Sequence, residues 1–423
     1  MPKVLGLVVE YNPFHYGHLH HLNESIRLVN PDYVVAVMSG NFCQRGEPAI
    51  VNKFARAKIA LMHGVDVVFE LPTIYAVQDA GGFALGSVGI LHKTGVVTDI
   101  VFGSESGDID FLKRVAHLLT YQTPEFEVAF KKQLKLGYSY PNARKYALMD
   151  VLDKDVNKLS KSNDILGIEY IKALIRYNSN ITPHVINRIG ADYNDETFRG
   201  KFSSASAIRK AIKEGLFETS KEAMPKFTYE VIHEEFQAGR GPVFWENLEF
   251  VIALFRKLKR EDFEKIYSFN EGLDLRFYES ARETGDLQQF VELVKAKRFT
   301  YSRIRRAILH VLFEMDKEHV EKSNELGPQY LRVLGFNEKG RELLKMIKKN
   351  SSIPIISTAS LYKQVLEGVE KDITEEKRLW DVDSELYLWQ FEKDLLASDI
   401  YTFLYPNKST RTAGMDFEQP VRI

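Results

Sequence analysis

The sequence predicts an α/β protein, with a parallel β-sheet wrapped by helices in its N-terminal half and a mainly α-helical domain after it. Apolar runs alternate with amphipathic helical patterns over roughly the first 220 residues, which is the order that builds such a sheet. From about Lys221 the strand-like runs stop and the apolar spacing becomes helical. A chain of 423 residues also exceeds one ordinary core. We therefore expect two or three domains and place the main division between residues 1–220 and 221–423.

The first strand and helix are the clearest elements. Residues 4–9 form an almost unbroken apolar run, typical of a parallel strand that is covered on both faces. Asn12-Pro13 ends this strand, and apolar residues then recur at helical spacing until Asn30-Pro31 ends the helix. His15, Gly17 and His18 therefore fall on the turn and the first helical residues, where we expect both imidazoles to be exposed.

The following elements continue the alternation. Strands are predicted at 33–38, 65–71, 99–102 and 184–189, and helices at 53–63, 75–91, 142–155, 163–174 and 203–215. Three strands end at Ser39-Gly40-Asn41, Glu70-Leu71-Pro72 and Gly103-Ser104-Glu105. Each tripeptide alone is typical of an ordinary turn. Because the carboxyl ends of parallel strands share one edge of a sheet, their common position predicts a ligand site there.

The start of the first helix has the chemistry of a phosphate site. A helix start presents unpaired amides and the positive end of a dipole, which favour an anion. The imidazoles of His15 and His18 add hydrogen-bond donors, and Gly17 removes a side chain where a ligand approaches the backbone. The alternative is a pair of helix-capping histidines without a ligand. The His-x-Gly-His spacing resembles the signature of the nucleotidylyltransferase and class I aminoacyl-tRNA synthetase superfamily, which implies a Rossmann-like sheet.

A second phosphate element is predicted at Ser203-Ser-Ala-Ser-Ala-Ile-Arg209, which opens another helix. Ser204 and Arg209 can hold leaving phosphates, or the hydroxyls can simply cap the helix. A serine-rich helix start followed by an arginine resembles the second motif of nucleotidylyltransferases. Lys158-Leu-Ser-Lys-Ser162 looks like a synthetase loop, but a helix capped by Asn163 or Asp164 follows it directly, so the serine-rich segment is the better candidate.

Composition limits the cellular setting and the partners. The net charge of −1 gives no global attraction to nucleic acid, so an RNA would have to meet a local patch. Cys43 is the only cysteine, which excludes an intramolecular disulfide and fits a reducing cytoplasm. We predict neither a secretory signal nor a membrane-spanning run.

Basic residues gather in three bursts in the second half of the chain. The middle burst is interleaved with Phe299 and Tyr301. Arginines suit phosphates and aromatic rings suit splayed bases, so we predict an RNA contact there. The alternative for each burst is a solvated helix face. The predicted RNA-binding residues are Arg298, Arg303, Arg305 and Arg306.

Longer sequence segments make the resemblance specific to one family. They are Val9-Glu-Tyr-Asn-Pro-Phe-His-Tyr-Gly-His18, Met38-Ser-Gly-Asn-Phe-Cys-Gln-Arg-Gly-Glu-Pro48, Phe102-Gly-Ser-Glu105, Ile165-Leu-Gly-Ile-Glu-Tyr170, Ser203 to Arg209, Tyr330-Leu-Arg-Val-Leu-Gly-Phe336 and Ser398-Asp-Ile-Tyr-Thr402. Together they resemble the bacterial tRNA(Met) cytidine acetate ligases, over essentially the whole chain. One departure is Ser162-Asn163-Asp164, where the family pattern is expected to read Pro-Asn-Asn.

This resemblance implies an ATP-dependent ligase. ATP and acetate would give acetyl-adenylate, and the acetyl group would pass to N4 of the wobble cytidine of elongator tRNA(Met). The implied catalytic residues are His15 and His18. Mg²⁺ is expected to be carried by the nucleotide, with no dedicated metal site, and Cys43 is expected to be a bystander. The implied ATP-binding residues are Leu7, Val8, Val9, Glu10, Tyr11, Asn12, Pro13, Phe14, His15, Tyr16, Gly17, His18, Leu19, His20, Gly103, Asn163, Arg188, Ser204 and Arg209.

Two other functions stay open at this point. A small-molecule nucleotidylyltransferase would use the same histidines to join AMP to a phosphorylated acceptor, but the large basic second half would then be unexplained. A non-catalytic RNA-binding protein could retain a nucleotide fold as a scaffold. The intact His15, Gly17, His18 and Arg209 argue against that alternative.

Overall fold

The computed structural model describes residues 2–138, 140–152, 161–187, 198 and 200–423. The predicted ATP ligand Arg188 and residues 158–160 of the synthetase-like loop lie outside the described residues.

One mixed β-sheet of eight strands organises the described part of the chain, in the order β10-β8-β5-β2-β1-β6-β7 with β9 also paired to β8. Strands β1, β2, β5, β6 and β7 run parallel, whereas β8 pairs antiparallel with β5. A separate hairpin pairs β3 with β4. The strands are β1 Val4–Val9, β2 Tyr33–Ser39, β3 Phe42–Cys43, β4 Glu47–Pro48, β5 Val67–Leu71, β6 Asp99–Ser104, β7 Thr182–Asn187, β8 Leu331–Phe336, β9 Ile355–Ile356 and β10 Val421–Arg422.

Helices cover both faces of the sheet and make up most of the second half. They are α1 Tyr16–Val29, α2 Lys53–Met62, α3 Thr73–Ala76, α4 Ala80–Lys93, α5 Ile109–Tyr121, α6 Pro124–Lys135, α7 Tyr140–Leu152, α8 Ser162–Arg176, α9 Ala205–Lys213, α10 Phe217–Ser220, α11 Lys226–Gln237, α12 Val251–Lys257, α13 Arg260–Lys265, α14 Leu273–Glu283, α15 Leu287–Val294, α16 Tyr301–Leu312, α17 Lys317–Leu326, α18 Glu338–Asn350, α19 Tyr362–Thr374 and α20 Ser384–Phe403. Short 3₁₀ turns lie at Gly200–Phe202, Lys221–Ala223, Trp245–Leu248, Ala359–Leu361, Lys408–Thr410 and Met415–Phe417.

Successive residues of the central strands face two different cores. Along β2, Val35 and Val37 belong to one core and Val34 and Ala36 to the other, and all four are at most 5% exposed. Helices α4, α5 and α8 cover the first face, and α1, α2, α9 and α11 cover the second. This two-sided burial explains the unbroken apolar runs of the sequence and confirms the predicted α/β class.

The order of the strands fixes where a ligand can bind. From β1 the chain adds β2 and β5 on one side, and it then returns to add β6 and β7 on the other side. The carboxyl ends of β1 and β6 therefore lie at the point where the strand order reverses. In open α/β sheets the binding crevice forms at this point. Helix α1 begins just beyond the end of β1.

Two expectations about these elements are corrected. The single helix predicted at 75–91 is divided into α3 and α4, because the Asp79 carboxylate accepts the Gly82 N–H at 3.0 Å and starts a new helix. Strands do not stop near Lys221, since β8, β9 and β10 extend the same sheet. The signal in β8 was obscured by Arg332, which is 1% exposed and donates to the carbonyl oxygens of Ser357 and Asp416. The division at residue 220 stays a prediction.

A buried ionic cluster joins the sheet to the C-terminal segment. The Lys53 ammonium lies 2.7 Å from a Glu70 carboxylate oxygen and 2.6 Å from one of Asp416, and the three side chains are at most 3% exposed. Burial raises the pKa of Glu70, against the opposing attraction of Lys53. Glu70, at the end of β5, therefore stabilises the fold, because its side chain is paired with the buried Lys53.

Candidate active site

A cavity of about 440 Å³ opens at the carboxyl ends of β1 and β6. Its lining residues are Val8, Val9, Glu10, Tyr11, His15, Gly17, His18, His20, His21, Gln44, Arg45, Ala80, Phe83, Phe102, Gly103, Ser162, Asn163, Ile165, Leu166, Tyr170, Ile186, Asn187, Ser203 and Ser204. A smaller cavity of about 60 Å³ shares six of these residues and adds Asn12, Cys43, Glu47, Ala205, Ser206 and Arg209. The predicted position of the ligand site is thus where a large cavity lies.

The turn between β1 and α1 is held by both histidines. His15 is the N-cap of α1, and its Nδ1 accepts the Gly17 N–H at 3.0 Å. The His15 N–H in turn donates to Nδ1 of His18 at 3.3 Å. Both Nδ1 atoms therefore act as acceptors, so a neutral ring carries its proton on Nε2 and is a donor there.

The rings are more enclosed than the sequence suggests. His15 is 8% exposed and its ring stacks on His18 with centroids 3.9 Å apart. Tyr11 packs edge-on against His18 at 5.2 Å. The expectation of an exposed turn is therefore wrong for His15, and His18 is half-buried. A Cβ on Gly17 would lie 2.8 Å from the His15 ring, so the glycine admits this ring into its capping position.

A second helix start converges on the same cavity. Ser204 caps α9, and its hydroxyl accepts the Ala207 N–H at 3.0 Å. Arg209, one turn inside the helix, donates to the Asn12 carbonyl at 2.8 Å and to the Glu47 carboxylate at 3.3 Å. Two positive helix ends and a guanidinium therefore lie beside the paired histidines, which is an arrangement suited to several phosphate groups.

The opposite wall is fixed by reciprocal bonds between β6 and α8. The Glu105 carboxylate accepts the Asn163 side-chain amide at 2.6 Å and the Asp164 N–H at 3.0 Å. Asp164 is fully buried and accepts from the Ser104 hydroxyl and the Ser106 N–H. Because Nδ2 of Asn163 is committed to Glu105, the other atom of its amide, Oδ1, is the acceptor available for a ligand.

The predicted ATP residues divide into three groups. Those that line the large cavity are Val8, Val9, Glu10, Tyr11, His15, Gly17, His18, His20, Gly103, Asn163 and Ser204. Asn12 and Arg209 line only the smaller cavity. Those that line neither cavity are Leu7, Pro13, Phe14, Tyr16 and Leu19. Leu7 and Phe14 are fully buried in the core. For Leu7 this follows from the alternation of side chains along β1.

Sequence reasoning missed the contribution of the β3–β4 hairpin region. Gln44 and Arg45 line the large cavity, and the Gln44 N–H donates to the Glu10 carboxylate at 2.7 Å. Arg56 is fully buried and donates to the carbonyl oxygens of Glu10 and Ser39, joining the ends of two strands. The Met38–Pro48 string was a signal for the hairpin. No periodicity marked Arg56.

The four predicted RNA-binding arginines differ in their surroundings. Arg298 is exposed, whereas Arg303 donates to Glu271 at 2.9 Å. Arg305 donates to the Glu47 carboxylate and lies over the Trp245 ring, and Arg306 donates to the Gln44 carbonyl at 3.3 Å. Arg305 and Arg306 thus pack onto the hairpin beside the cavity rather than forming a solvated face. Their contact with RNA stays a prediction.

The remaining expectations from the sequence concern Cys43, a metal site and a membrane-spanning helix. Burial raises the pKa of the Cys43 thiol to about 12, which keeps it protonated at neutral pH. Within the residues that the structure covers, no three His, Cys, Asp or Glu side chains are grouped as a metal site would require. No helix in the described ranges combines the length and apolar character needed to cross a membrane.

Comparison with known proteins gives a consistent result. The model of the family described as HIGH Nucleotidyl Transferase matches residues 2–416. The tRNA(Met) cytidine acetate ligase of Fervidobacterium nodosum is 76% identical over 419 residues, covering 99% of both chains. That of Thermosipho africanus is 59% identical, covering 100% of this chain and 99% of the relative.

Two solved structures are also similar. The apo crystal structure of Thermotoga maritima TmcAL has a TM-score of 0.94 at 52% identity, covering 100% of this chain and 99% of that one. The structure of Thermotoga maritima TmcAL bound with alpha-thio ATP has a TM-score of 0.93 at 50% identity, with the same coverage.

Proposed function

Because this chain belongs to the HIGH nucleotidyl transferase family, among its tRNA(Met) cytidine acetate ligases, we propose that it is an ATP-dependent carbon-nitrogen ligase. It forms acetyl-adenylate from ATP and acetate and transfers the acetyl group to N4 of the wobble cytidine of elongator tRNA(Met), giving N4-acetylcytidine. The observation that carries the proposal is the convergence of two helix starts and the His15–His18 pair on one cavity.

The first step needs stabilisation of phosphate charge rather than a protein nucleophile. The acetate carboxylate attacks the α-phosphate of ATP and pyrophosphate leaves. Negative charge develops on the phosphoryl oxygens, where Nε2–H donors of His15 and His18 and the positive end of the α1 dipole stabilise it. The start of α9, with Ser204 and Arg209, suits the leaving pyrophosphate. The protonated Cys43 thiol has no part in this step.

The adenosine part has a matching wall in the large cavity. Phe102, Leu166 and Ile186 provide apolar surface, and Oδ1 of Asn163 can accept a hydrogen bond from the 6-amino group of adenine. This assignment puts the base at the β6–α8 side and the phosphates at the two helix starts.

Magnesium is proposed to arrive with the nucleotide. The described residues offer no group of three metal-binding side chains, so the donor set does not fit a dedicated protein site. Phosphate oxygens of ATP are the natural ligands of the ion.

The transfer step requires the tRNA to reach this cavity. The basic residues at the start of α16 and just before it, Arg298, Arg303, Arg305 and Arg306, are the proposed RNA side of the protein. We expect the enzyme in the cytoplasm, because its proposed substrate is a tRNA and its single cysteine fits a reducing compartment.

The direct test of this function is the transfer of labelled acetate to purified elongator tRNA(Met) in the presence of ATP. The label should appear in N4-acetylcytidine at the wobble position, and an unrelated tRNA should remain unlabelled. A requirement for a phosphorylated small acceptor in place of acetate would favour a small-molecule nucleotidylyltransferase. tRNA binding without any ATP turnover would favour a non-catalytic RNA-binding protein.

A further inference from the structure

The proposed activation step gives no role to Glu10. It follows the last residue of β1 and lines both cavities. Among the described residues that line the large cavity, it is the only one with a carboxylate. Glu10 therefore belongs to the wall that the large cavity shares with the smaller cavity, which is also lined by Arg209. Proton transfer to Glu10 requires the acetyl group of the adenylate to lie beside this shared wall.

The two oxygens of this carboxylate differ. Oε1 accepts the Gln44 N–H at 2.7 Å, whereas Oε2 accepts no hydrogen bond from the described residues. Burial raises the pKa of Glu10, and the Gln44 N–H together with the charges of Arg56, Arg209 and Arg45 opposes this rise. A carboxylate that is fixed through one oxygen, and more basic than in water, has the properties of a general base.

We propose that Glu10 accepts the N4 proton of the wobble cytidine during acetyl transfer, an inference that rests on the proposed function. The N4 nitrogen forms a bond to the acetyl carbonyl carbon, and the bond from that carbon to the phosphate oxygen of AMP breaks. AMP leaves with the bonding electron pair. The N4 proton passes to Oε2 of Glu10 and is released to solvent after the product leaves.

The other lining groups near the phosphate site are poorly suited to this task. Nδ1 of both His15 and His18 already accepts a backbone N–H, which leaves each neutral ring with a donor at Nε2. Burial raises the pKa of the Tyr11 hydroxyl, so it is protonated at neutral pH. Arg45 and Gln44 cannot act as bases. His20 and His21 are competing bases, because both belong to α1 and line the same cavity.

Glu10→Gln separates the catalytic role from the structural one. The amide oxygen of glutamine can still accept the Gln44 N–H, so the hairpin contact is retained and only the base is lost. Acetate-dependent exchange of pyrophosphate into ATP is the reference activity, because Glu10 also lines the proposed ATP cavity. Single-turnover acetyl transfer from preformed acetyl-adenylate to tRNA should fall at least 100-fold more than exchange, about the contribution of a general base. Glu10→Asp, which keeps a carboxylate, should recover part of the transfer rate.

The pH profile gives a readout that a packing defect would not change. With the native protein, single-turnover transfer should rise with pH through a pKa above the ordinary 4.5 of a glutamate, because burial raises it. This rise should be absent from Glu10→Gln.

Three outcomes would overturn the inference. Equal loss of exchange and transfer in Glu10→Gln would assign Glu10 to activation or to metal binding. Unchanged transfer would remove it from the proton path. Selective loss of transfer and of the pH dependence in His20→Gln or His21→Gln, with Glu10→Gln active, would assign the role to that histidine. Absence of acetate-dependent exchange in the native protein is a different result, since it would contradict the proposed function itself.

Discussion

Arg209 and Arg305 bind the two oxygens of one carboxylate, that of Glu47. Arg209 belongs to α9 in the first half of the chain and reaches Oε2 at 3.3 Å, while Arg305 belongs to α16 in the second half and reaches Oε1. Arg209 also donates to the carbonyl of Asn12 in the turn before the histidines. The proposed RNA side and the proposed phosphate site are therefore connected through a single acidic residue.

Glu47→Gln should weaken this connection. Without its negative charge, residue 47 holds Arg209 less firmly, and the KM for ATP in pyrophosphate exchange should rise about tenfold, equivalent to ~1.4 kcal/mol. Glu249→Gln is the matched control, because it changes an exposed glutamate whose side chain makes no hydrogen bond to the described residues. An unchanged KM in Glu47→Gln would show that the Arg209 contact does not contribute to ATP binding.

Glu105→Ala should reduce discrimination between purine nucleotides. Glu105 accepts a hydrogen bond from Nδ2 of Asn163 and so leaves Oδ1 for the proposed contact with adenine. An amide free to rotate would lose its preference for the 6-amino group. The ratio of kcat/KM for ATP to that for inosine triphosphate should fall about tenfold. Asp110→Ala, at an exposed position on α5, is the control. If the ratio stays constant, Asn163 does not read the base.

The RNA surface should be tested at exposed positions, because Arg305 and Arg306 also support the hairpin. Lys297→Ala combined with Arg298→Ala should weaken tRNA binding and lower the magnitude of its salt slope by about one to two, since each removed phosphate contact accounts for about one. Pyrophosphate exchange should be unaffected. Lys348→Ala combined with Lys349→Ala, exposed on α18, is the matched control. Equal effects of the two double variants on tRNA affinity would indicate general electrostatics rather than a defined surface.

Lys53→Met should destabilise the fold, because it leaves the buried carboxylates of Glu70 and Asp416 without their cation. The expected cost is about 3–5 kcal/mol in the free energy of unfolding, typical of a broken buried pair. A carboxyl whose folded pKa is raised binds more protons when folded, so its contribution to stability declines as pH rises from its unfolded value of 4.5.

The variant should therefore lose most stability above neutral pH, measured by urea unfolding at several pH values. Lys58→Met, whose partner Glu234 is exposed, should change stability by at most about 1 kcal/mol. A pH-independent or small effect of Lys53→Met would contradict the charge assignment.

Removing the second half should not leave an intact first domain, because Asp416, a partner of the buried Lys53, lies in the second half.

The parts of the fold that depend on local pattern could be predicted from the sequence. The apolar runs of β1 and β2 and the caps at His15 and Ser204 are local, and they predict a ligand site at the strand ends, where the large cavity lies. Contacts between distant segments could not be predicted. The pairing of β8 with β5, the role of Glu70 and the hydrogen bonds of Arg56 all depend on partners far away in the chain. The turn residues Ser39 and Glu70 had the position of site residues, but their side chains face buried partners.

Acetate-dependent exchange of labelled pyrophosphate into ATP, without tRNA, tests the central claim most directly. The phosphate-site residues all lie within the first 210 residues, so the folded protein should catalyse exchange unaided. His15→Asn keeps a helix-capping acceptor but lacks Nε2, and His18→Asn likewise lacks its donor. Each should lose about 100- to 1,000-fold in exchange rate with an unchanged unfolding transition, whereas the exposed His117→Ala on α5 should be fully active. Exchange that requires tRNA, or that proceeds at the native rate in both histidine variants, would contradict the account.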